Sequence, residues 1–169
     1  ILVFVLVIVV LAAATIASVL WLYRRLMTVI DYELGFYGER LVGQYLSRLT
    51  AQKYKIFHDF EIDAAGKPAN IDHIVLGPNG VFVVETKSRR KRRGKFGTAD
   101  YIVRYDGKVL CFPWGPDRHG LDQARANAKT LKRLLESATQ IRAIPVSSIL
   151  ALPGWMVQAD GDYRDPAVM

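Results

Sequence analysis

The first 23 residues are almost entirely apolar and contain no charged residue. As a helix this run would measure about 35 Å, against roughly 30 Å for the hydrocarbon core of a bilayer. Aromatic residues end the run, and Arg24 and Arg25 follow at once, as interfacial aromatic residues and cytoplasmic basic residues do in single-pass proteins. We therefore predict a transmembrane helix over 1–23, a juxtamembrane linker over 24–34 and a cytoplasmic soluble domain beyond. A signal peptide cleaved at residues 12–14 is the alternative.

Beyond the apolar run, helical and strand periods alternate along the chain. Apolar residues recur at helical spacing over 31–50 and over 119–138, which predicts two amphipathic helices. Shorter apolar runs, separated by turn residues, predict strands; they occupy 53–62, 70–76, 81–87, 101–105, 108–112 and 144–152. This alternation predicts an α/β fold, with a mixed sheet flanked by the two helices. Only loop signals follow Pro153, so we predict a C-terminal loop over 153–169. The chain begins at Ile1 rather than Met and stops in a polar stretch, which is compatible with truncation at either end.

The stretch from Asn70 to Lys87 predicts a β-hairpin with a Gly-Pro-Asn-Gly turn. A turn centred in that tetrapeptide pairs Asp72 with Glu85, and Asn70 with Lys87. Since side chains alternate faces along a strand, Asp72, Glu85 and Lys87 meet on one face. Apolar residues occupy both faces, and such a strand is covered on both sides. The predicted faces are Ile74, Leu76, Val81 and Val83 beside the charges, with Ile71, Val75, Phe82 and Val84 opposite.

Two carboxylates placed that close repel each other unless a positive charge lies between them. Mg²⁺ fits such a position, because it binds one or two carboxylates together with waters and phosphate oxygens. Lys87 would then orient a water or contact a scissile phosphate. The alternative is a cross-strand salt-bridge cluster of Asp72, Glu85 and Lys87. The apolar surroundings favour the metal, because buried ionisable groups are costly unless they are paired or bind a metal.

The ordered set of polar motifs resembles the nuclease-related domain (NERD) family, which belongs to the PD-(D/E)xK nuclease superfamily. The motifs that carry the resemblance are Gly38-Glu39, Asn70-Ile71-Asp72-His73, Val83-Val84-Glu85-Thr86-Lys87 and Gln123. The resemblance spans the soluble domain, 35–152. It implies a restriction-endonuclease-like core, in which a mixed sheet is flanked by helices. It also implies that Glu39 approaches the metal site from its helix and that Gln123 points into the active site. The Asn-Pro turn that precedes this glutamine in the family is absent here.

Several of these residues also have plainer interpretations. By spacing alone, Glu39 is equally well a solvated acid near the start of a helix, and Gln123 is an ordinary surface glutamine. His73 alternates away from Asp72, so we predict a packed or supporting histidine rather than a metal ligand. His58 is expected to be structural or exposed. The single cysteine, Cys111, excludes an internal disulfide framework. Residues 99–114 predict a second hairpin with an Asp106-Gly107 turn, and the place of Cys111 in its second strand predicts a buried, inert thiol.

The net charge of +7 arises from one segment, since seven basic residues fall within nine positions and the other 16 basic residues balance 16 acidic ones. Beside a phosphodiesterase centre, such a segment is predicted to bind the nucleic-acid backbone without sequence specificity. A solvated loop and an anionic-lipid contact are the alternatives. The predicted nucleic-acid-binding residues are Lys87, Arg89, Arg90, Lys91, Arg92, Arg93 and Lys95.

Together these features predict a membrane-anchored, Mg²⁺-dependent nuclease that hydrolyses phosphodiester bonds, with DNA favoured over RNA. Asp72, Glu85 and Glu39 would hold the metal. Lys87 would act on the water or the phosphate, and Gln123 would support the site. The competing hypothesis is a non-catalytic nucleic-acid-binding or scaffold module with a nuclease-like core, because a fold by itself does not establish an activity.

Overall fold

The computed structural model describes residues 1–63, 68–91 and 101–169. Two helices and nine strands are described, and one short 3₁₀ helix, Arg48–Gln52, follows the first helix. The helices are α1 (Leu2–Ser47) and α2 (His119–Thr139). The strands are β1 (Lys55–Asp63), β2 (Pro68–Gly77), β3 (Gly80–Thr86), β4 (Ile102–Tyr105), β5 (Leu110–Phe112), β6 (Gly115–Asp117), β7 (Val146–Ala151), β8 (Met156–Ala159) and β9 (Ala167–Val168).

The chain divides into two compact units, Ile1–Leu34 and Gly35–Met169. Almost every side chain of the first unit is exposed, and its helix is long and apolar enough to cross a membrane. Residues 24–34, predicted as a linker, are helical.

The second unit is built on a mixed sheet, as predicted. Its five strands run in the order β1-β2-β3-β7-β9. The first three strands are antiparallel, whereas β7 and β9 join in parallel. The predicted hairpin register is confirmed from the turn as far as His73↔Val84, since Ile74 pairs with Val83 and Leu76 with Val81. The predicted pairs Asp72↔Glu85 and Asn70↔Lys87 lie beyond the last paired positions of β2 and β3. A second sheet, in the order β6-β5-β4-β8, follows in the chain.

Helices cover both faces of the hairpin strands, as their apolar pattern predicted. Val42 and Leu46 of α1 pack against a cluster that contains Val75 and Val84. On the opposite face, residues of α2 pack against β2 and β3; that cluster includes Ile74, Val81, Val83, Ala128 and Leu131.

The predicted face of Ile71 was wrong. Ile71 belongs to the cluster that α2 covers, whereas His73, two residues on, lies under Gly43 of α1. The alternation breaks where β1 and β2 are distorted. Asp59 has a positive φ of 50° there, and the pairs on either side of it, His58↔His73 and Phe60↔Ile71, place it opposite Asp72.

The prediction of only loop structure after Pro153 was also wrong. β8 pairs in parallel with β4, and β9 pairs in parallel with β7. These strands have four and two residues, too few for an alternating pattern to be recognised. Their strand conformation comes from pairing with the edge of an existing sheet.

Cys111 is exposed, so the predicted buried thiol was wrong. It is the middle residue of β5, between the buried Leu110 and Phe112. The hairpin itself is confirmed, but the second sheet, to which it belongs, has one covered face and one open face. The two-fold alternation therefore places the cysteine on the open face.

Candidate functional site

Asp72 lies where the central hairpin opens. The paired positions of β2 and β3 end at His73↔Val84, whereas β2 remains paired with β1 as far as Pro68. The Asp72 Oδ2 atom accepts a hydrogen bond of 2.7 Å from the backbone N–H of Thr86. The carboxylate thus satisfies an amide at the point where regular pairing stops, which fixes its position beside the end of β3.

Glu85 is almost completely buried, with 1% of its surface exposed. Its Oε1 accepts a hydrogen bond of 2.6 Å from the Lys87 Nζ atom, and its Oε2 accepts one of 3.0 Å from the Asn127 Nδ2 atom. The predicted grouping of Glu85 with Lys87 on one face is present as an ion pair. Both carboxylate oxygens therefore have a donor, as a buried charge requires.

Gly120 allows α2 to approach this ion pair closely. A Cβ atom at this position would lie 3.1 Å from the Cγ of Lys87 and 3.3 Å from Leu150. A larger residue would push the helix, and with it Asn127, away from Glu85. The sequence therefore needs a small residue in the first turn of α2.

The electrostatics of the pair favour a bound cation. Burial raises the pKa of Glu85, and the charge of Asp72 raises it further. Burial also raises the pKa of Asp72, while the Thr86 amide and Lys87 oppose that shift. A buried carboxylate whose ionisation a neighbouring half-buried carboxylate disfavours is a donor set that suits a hard divalent cation. The arrangement thus fits a metal held by Asp72 and Glu85.

Glu39 lies near this pair but does not complete a ligand set. Its pKa is raised by burial and then by the charges of Asp72 and Asp59, so the carboxylate of Glu39 interacts through space with those two carboxylates. Within residues 1–63, 68–91 and 101–169, however, no three histidine, cysteine or acidic side chains are arranged to hold one metal ion. The role of Glu39 as a third ligand therefore stays a prediction.

The sequence analysis missed Asn127, and the predicted role of Gln123 stays a prediction. Asn127 is 7% exposed, and it is the residue of α2 that donates to Glu85. Gln123 lies one turn earlier on the same side of the helix and is half-buried. A signal for Asn127 existed, because it interrupts the apolar stripe of Ala124, Ala128 and Leu131. A polar residue in such a stripe needs a buried partner.

The histidines lie as predicted. His73 is packed, with 4% of its surface exposed, and its Nδ1 lies 2.9 Å from the Nδ1 of His58 on the neighbouring strand. His58 is exposed. The pair lies beside Asp72 and Asp59 in the chain, so it flanks the point at which β1 and β2 are distorted.

Only part of the basic segment falls within the described residues. Arg89 and Arg90 are half-buried and Lys91 is exposed. The Arg89 guanidinium forms an ion pair of 3.0 Å with Asp117, so part of its charge is neutralised internally. The other predicted nucleic-acid contacts, Arg92, Arg93 and Lys95, lie outside the described residues.

Comparison with known proteins identifies the domain. The family model of the nuclease-related domain, NERD, matches residues 34–153. A 55-residue segment is 44% identical to an uncharacterised protein of Bacillus anthracis. That match covers 32% of this chain and 26% of the relative, so the chain spans about a quarter of the relative's length. No solved structure matches the chain. Since the family model covers well over half of the 169 residues, the chain belongs to the nuclease-related domain family, consistent with the PD-(D/E)xK nuclease superfamily.

Proposed function

We propose that this protein is a metal-dependent nuclease that hydrolyses phosphodiester bonds, with DNA as the favoured substrate. The observation that carries the proposal is the buried Glu85, which lies beside Asp72 and is bonded to both Lys87 and Asn127. A structural ion pair would need one carboxylate and one lysine. Asp72 adds a second carboxylate, close enough to raise the pKa of Glu85, and a cation brought in from outside would offset that repulsion.

In the proposed reaction the carboxylates of Asp72 and Glu85 would hold Mg²⁺. A divalent cation bound there supplies a water of lowered pKa and neutralises charge on the phosphate oxygens. Lys87 has its ammonium at Glu85, from which it can orient the attacking water or stabilise the leaving phosphate. Asn127 keeps the Glu85 carboxylate oriented, and Glu39 contributes further negative charge from α1.

The proposed substrate is a nucleic acid because basic residues follow the site directly. Arg89, Arg90 and Lys91 continue the chain from Lys87. Contacts of this kind bind the phosphate backbone whatever the base sequence, and they weaken steeply as salt increases. The proposed preference for DNA over RNA rests on the resemblance to nucleases alone.

The proposed location is a membrane, with the domain on the cytoplasmic side. The N-terminal helix is long and apolar enough to cross a bilayer, and the basic pair Arg24-Arg25 follows its most apolar part. Basic residues at that position favour the cytoplasmic side by the positive-inside rule.

The test is Mg²⁺ binding and DNA cleavage by the full chain in detergent, compared with Asp72→Asn and Lys87→Met. Asp122→Asn is the matched control, because Asp122 is an exposed acid on α2. We expect Mg²⁺-dependent cleavage in the wild type and the control. Asp72→Asn should lose both metal binding and cleavage, whereas Lys87→Met should lose cleavage and retain metal. Equal cleavage by all four forms would refute the assignment of the site.

A non-catalytic nucleic-acid-binding module is the second candidate. It is favoured by one observation, that the carboxylates of the described residues do not form a three-ligand set. Salt-sensitive DNA binding by the wild type, with neither Mg²⁺ binding nor cleavage, would establish it in place of the nuclease.

A further inference from the structure

Helix α1 rests on the two paired histidines through a glycine. A Cβ atom at Gly43 would lie 3.3 Å from the Cε1 of His58 and 3.3 Å from the Cε1 of His73. Both distances are tighter than ordinary van der Waals contact, so Gly43 allows the helix to sit directly on the rings. Glu39 is one helical turn earlier, and residues four apart lie on the same side of a helix. The histidine pair therefore supports the turn that carries Glu39.

The two rings form one unit. Their Nδ1 atoms are 2.9 Å apart, and the rings meet edge to face at 84°. Burial lowers the pKa of His73, and the neighbouring His58 lowers it further. An N–H···N hydrogen bond, donated by one Nδ1 and accepted by the other, accounts for the short distance. It joins β1 to β2 beside the distorted pair of Asp59 and Asp72.

The other nitrogen of His73 faces the helix without a regular partner. The Nε2 atom is buried and has no hydrogen-bond partner among the described residues. The Glu39 carbonyl is near enough to raise the pKa of His73 slightly, but no hydrogen bond of ordinary geometry forms. A pocket of about 290 Å³ lies here, lined by residues that include Glu39, Gly43, His58, Asp59 and His73.

Glu39 needs support at this position. Burial and the charges of Asp72 and Asp59 raise the pKa of Glu39, and the charge of Lys87 lowers it by less. The ionised Glu39 is therefore disfavoured beside the sheet, and contacts beneath its turn must hold it there. Among these contacts are the close approach of Gly43 to the two rings and that of Gly38 to Ser88.

We infer that the His58–His73 pair is a positioning unit that holds the Glu39 turn of α1 against the sheet, beside Asp72. The inference rests on the proposed function in one respect, which is that the placement of Glu39 serves to add a carboxylate to the metal site. The pair does not touch the reacting atoms. It acts through the helix that lies on it.

The test is a double-mutant analysis of the full chain in one detergent, without divalent ions. Glu39→Gln removes the repelled charge, so we expect it to raise the thermal unfolding midpoint of the wild type. In His73→Phe an aromatic ring is kept but the hydrogen bond to His58 is lost. The turn can then relax, and Glu39→Gln should raise the midpoint by much less. Gly43→Ala should act in the same direction, because its Cβ presses on both rings while the histidines remain.

Val75→Ala is the control for packing alone. Val75 is buried on the face of β2 that α1 covers, so this change removes packing beneath α1 without touching the two rings or the Glu39 turn. It leaves the histidine pair intact, and the effect of Glu39→Gln should be unchanged in it. With Mg²⁺ present, His73→Phe should weaken metal binding on the order of tenfold, as loss of a supporting residue does. It should have no further effect in the Glu39→Gln background.

The metal-free measurement separates this inference from the proposed function. A smaller effect of Glu39→Gln in His73→Phe and Gly43→Ala, but not in Val75→Ala, supports positioning even if the wild type neither binds Mg²⁺ nor cleaves DNA. An equal effect of Glu39→Gln in all backgrounds overturns the inference, even if the wild type is an active nuclease.

Discussion

Replacing Asn127 by alanine tests how the buried carboxylate of Glu85 is held. The Asn127 Nδ2 atom donates a 3.0 Å hydrogen bond to Glu85 Oε2, and both residues are more than nine-tenths buried. Alanine removes the donor and leaves that oxygen facing the shortened side chain. Lys87 still occupies the other oxygen, Oε1, so the change isolates one of the two supports of the carboxylate.

A hydrogen bond to a charged group contributes about 1.5–3 kcal/mol net. We therefore expect Asn127→Ala to lower the free energy of unfolding by about that amount at neutral pH. Loss of a residue that orients a metal ligand weakens metal binding by roughly 10–100-fold, so Mg²⁺ affinity should fall as well. The stability loss should shrink in acid. The pKa of Glu85 is raised by burial and by Asp72, so lowering the pH through that value removes the charge that Asn127 stabilises.

The assay is chemical unfolding without divalent ions at neutral and acid pH, together with Mg²⁺ titration by calorimetry. Gln123→Ala is the matched control, since Gln123 is a half-buried amide on the same side of α2. Surface substitutions of this kind change stability by less than about 0.5 kcal/mol. The reasoning is refuted if Asn127→Ala changes stability no more than Gln123→Ala, or if its effect does not depend on pH.

Three further outcomes follow from the structure. Because burial raises the pKa of Asp72, the stability of the metal-free protein is expected to fall as the pH rises through that pKa. Asp72→Asn should therefore be more stable than the wild type at neutral pH and equal to it in acid. Thermal unfolding would measure both. Gly35→Ala should stabilise α1, since its Cβ would meet nothing within 4 Å. Gly38→Ala should destabilise it, since its Cβ would lie 1.8 Å from the Oγ of Ser88. The unfolding midpoint of Gly35→Ala should therefore be the higher of the two. Lys91→Ala should weaken DNA binding equally for all sequences and reduce the salt slope of the affinity by about one, which fluorescence anisotropy would measure.

The hairpin could be predicted because its determinants are local. A two-residue period, a Gly-Pro-Asn-Gly turn and apolar residues on both faces fix the register of β2 and β3 without reference to the rest of the chain. The confirmed pairs, Ile74↔Val83 and Leu76↔Val81, follow from that register. The helices over 119–138 and 31–50 had equally local signals, in their apolar period and their length.

What could not be predicted depends on contacts between distant segments. The side-chain period of β2 predicted the face of Ile71 wrongly, because the distortion at Asp59 involves a neighbouring strand. β8 and β9 have too few residues to show a pattern, and they form only where another strand offers an edge. Asn127 needs Glu85, 42 residues away in the chain, to explain its burial.

The cost of the three carboxylates to the stability of the metal-free fold is itself an argument for function. Burial raises the pKa of Glu39, Asp72 and Glu85 in turn, and each of the three also lies near at least one of the others. Lys87 is a direct ion-pair partner for one of them. Apolar residues of similar size at such positions are often neutral or stabilising, and the helices on both sides of the sheet already supply an apolar environment. A cluster of carboxylates held there lowers the stability of the empty domain, and a cation bound between them would offset that loss by mass action.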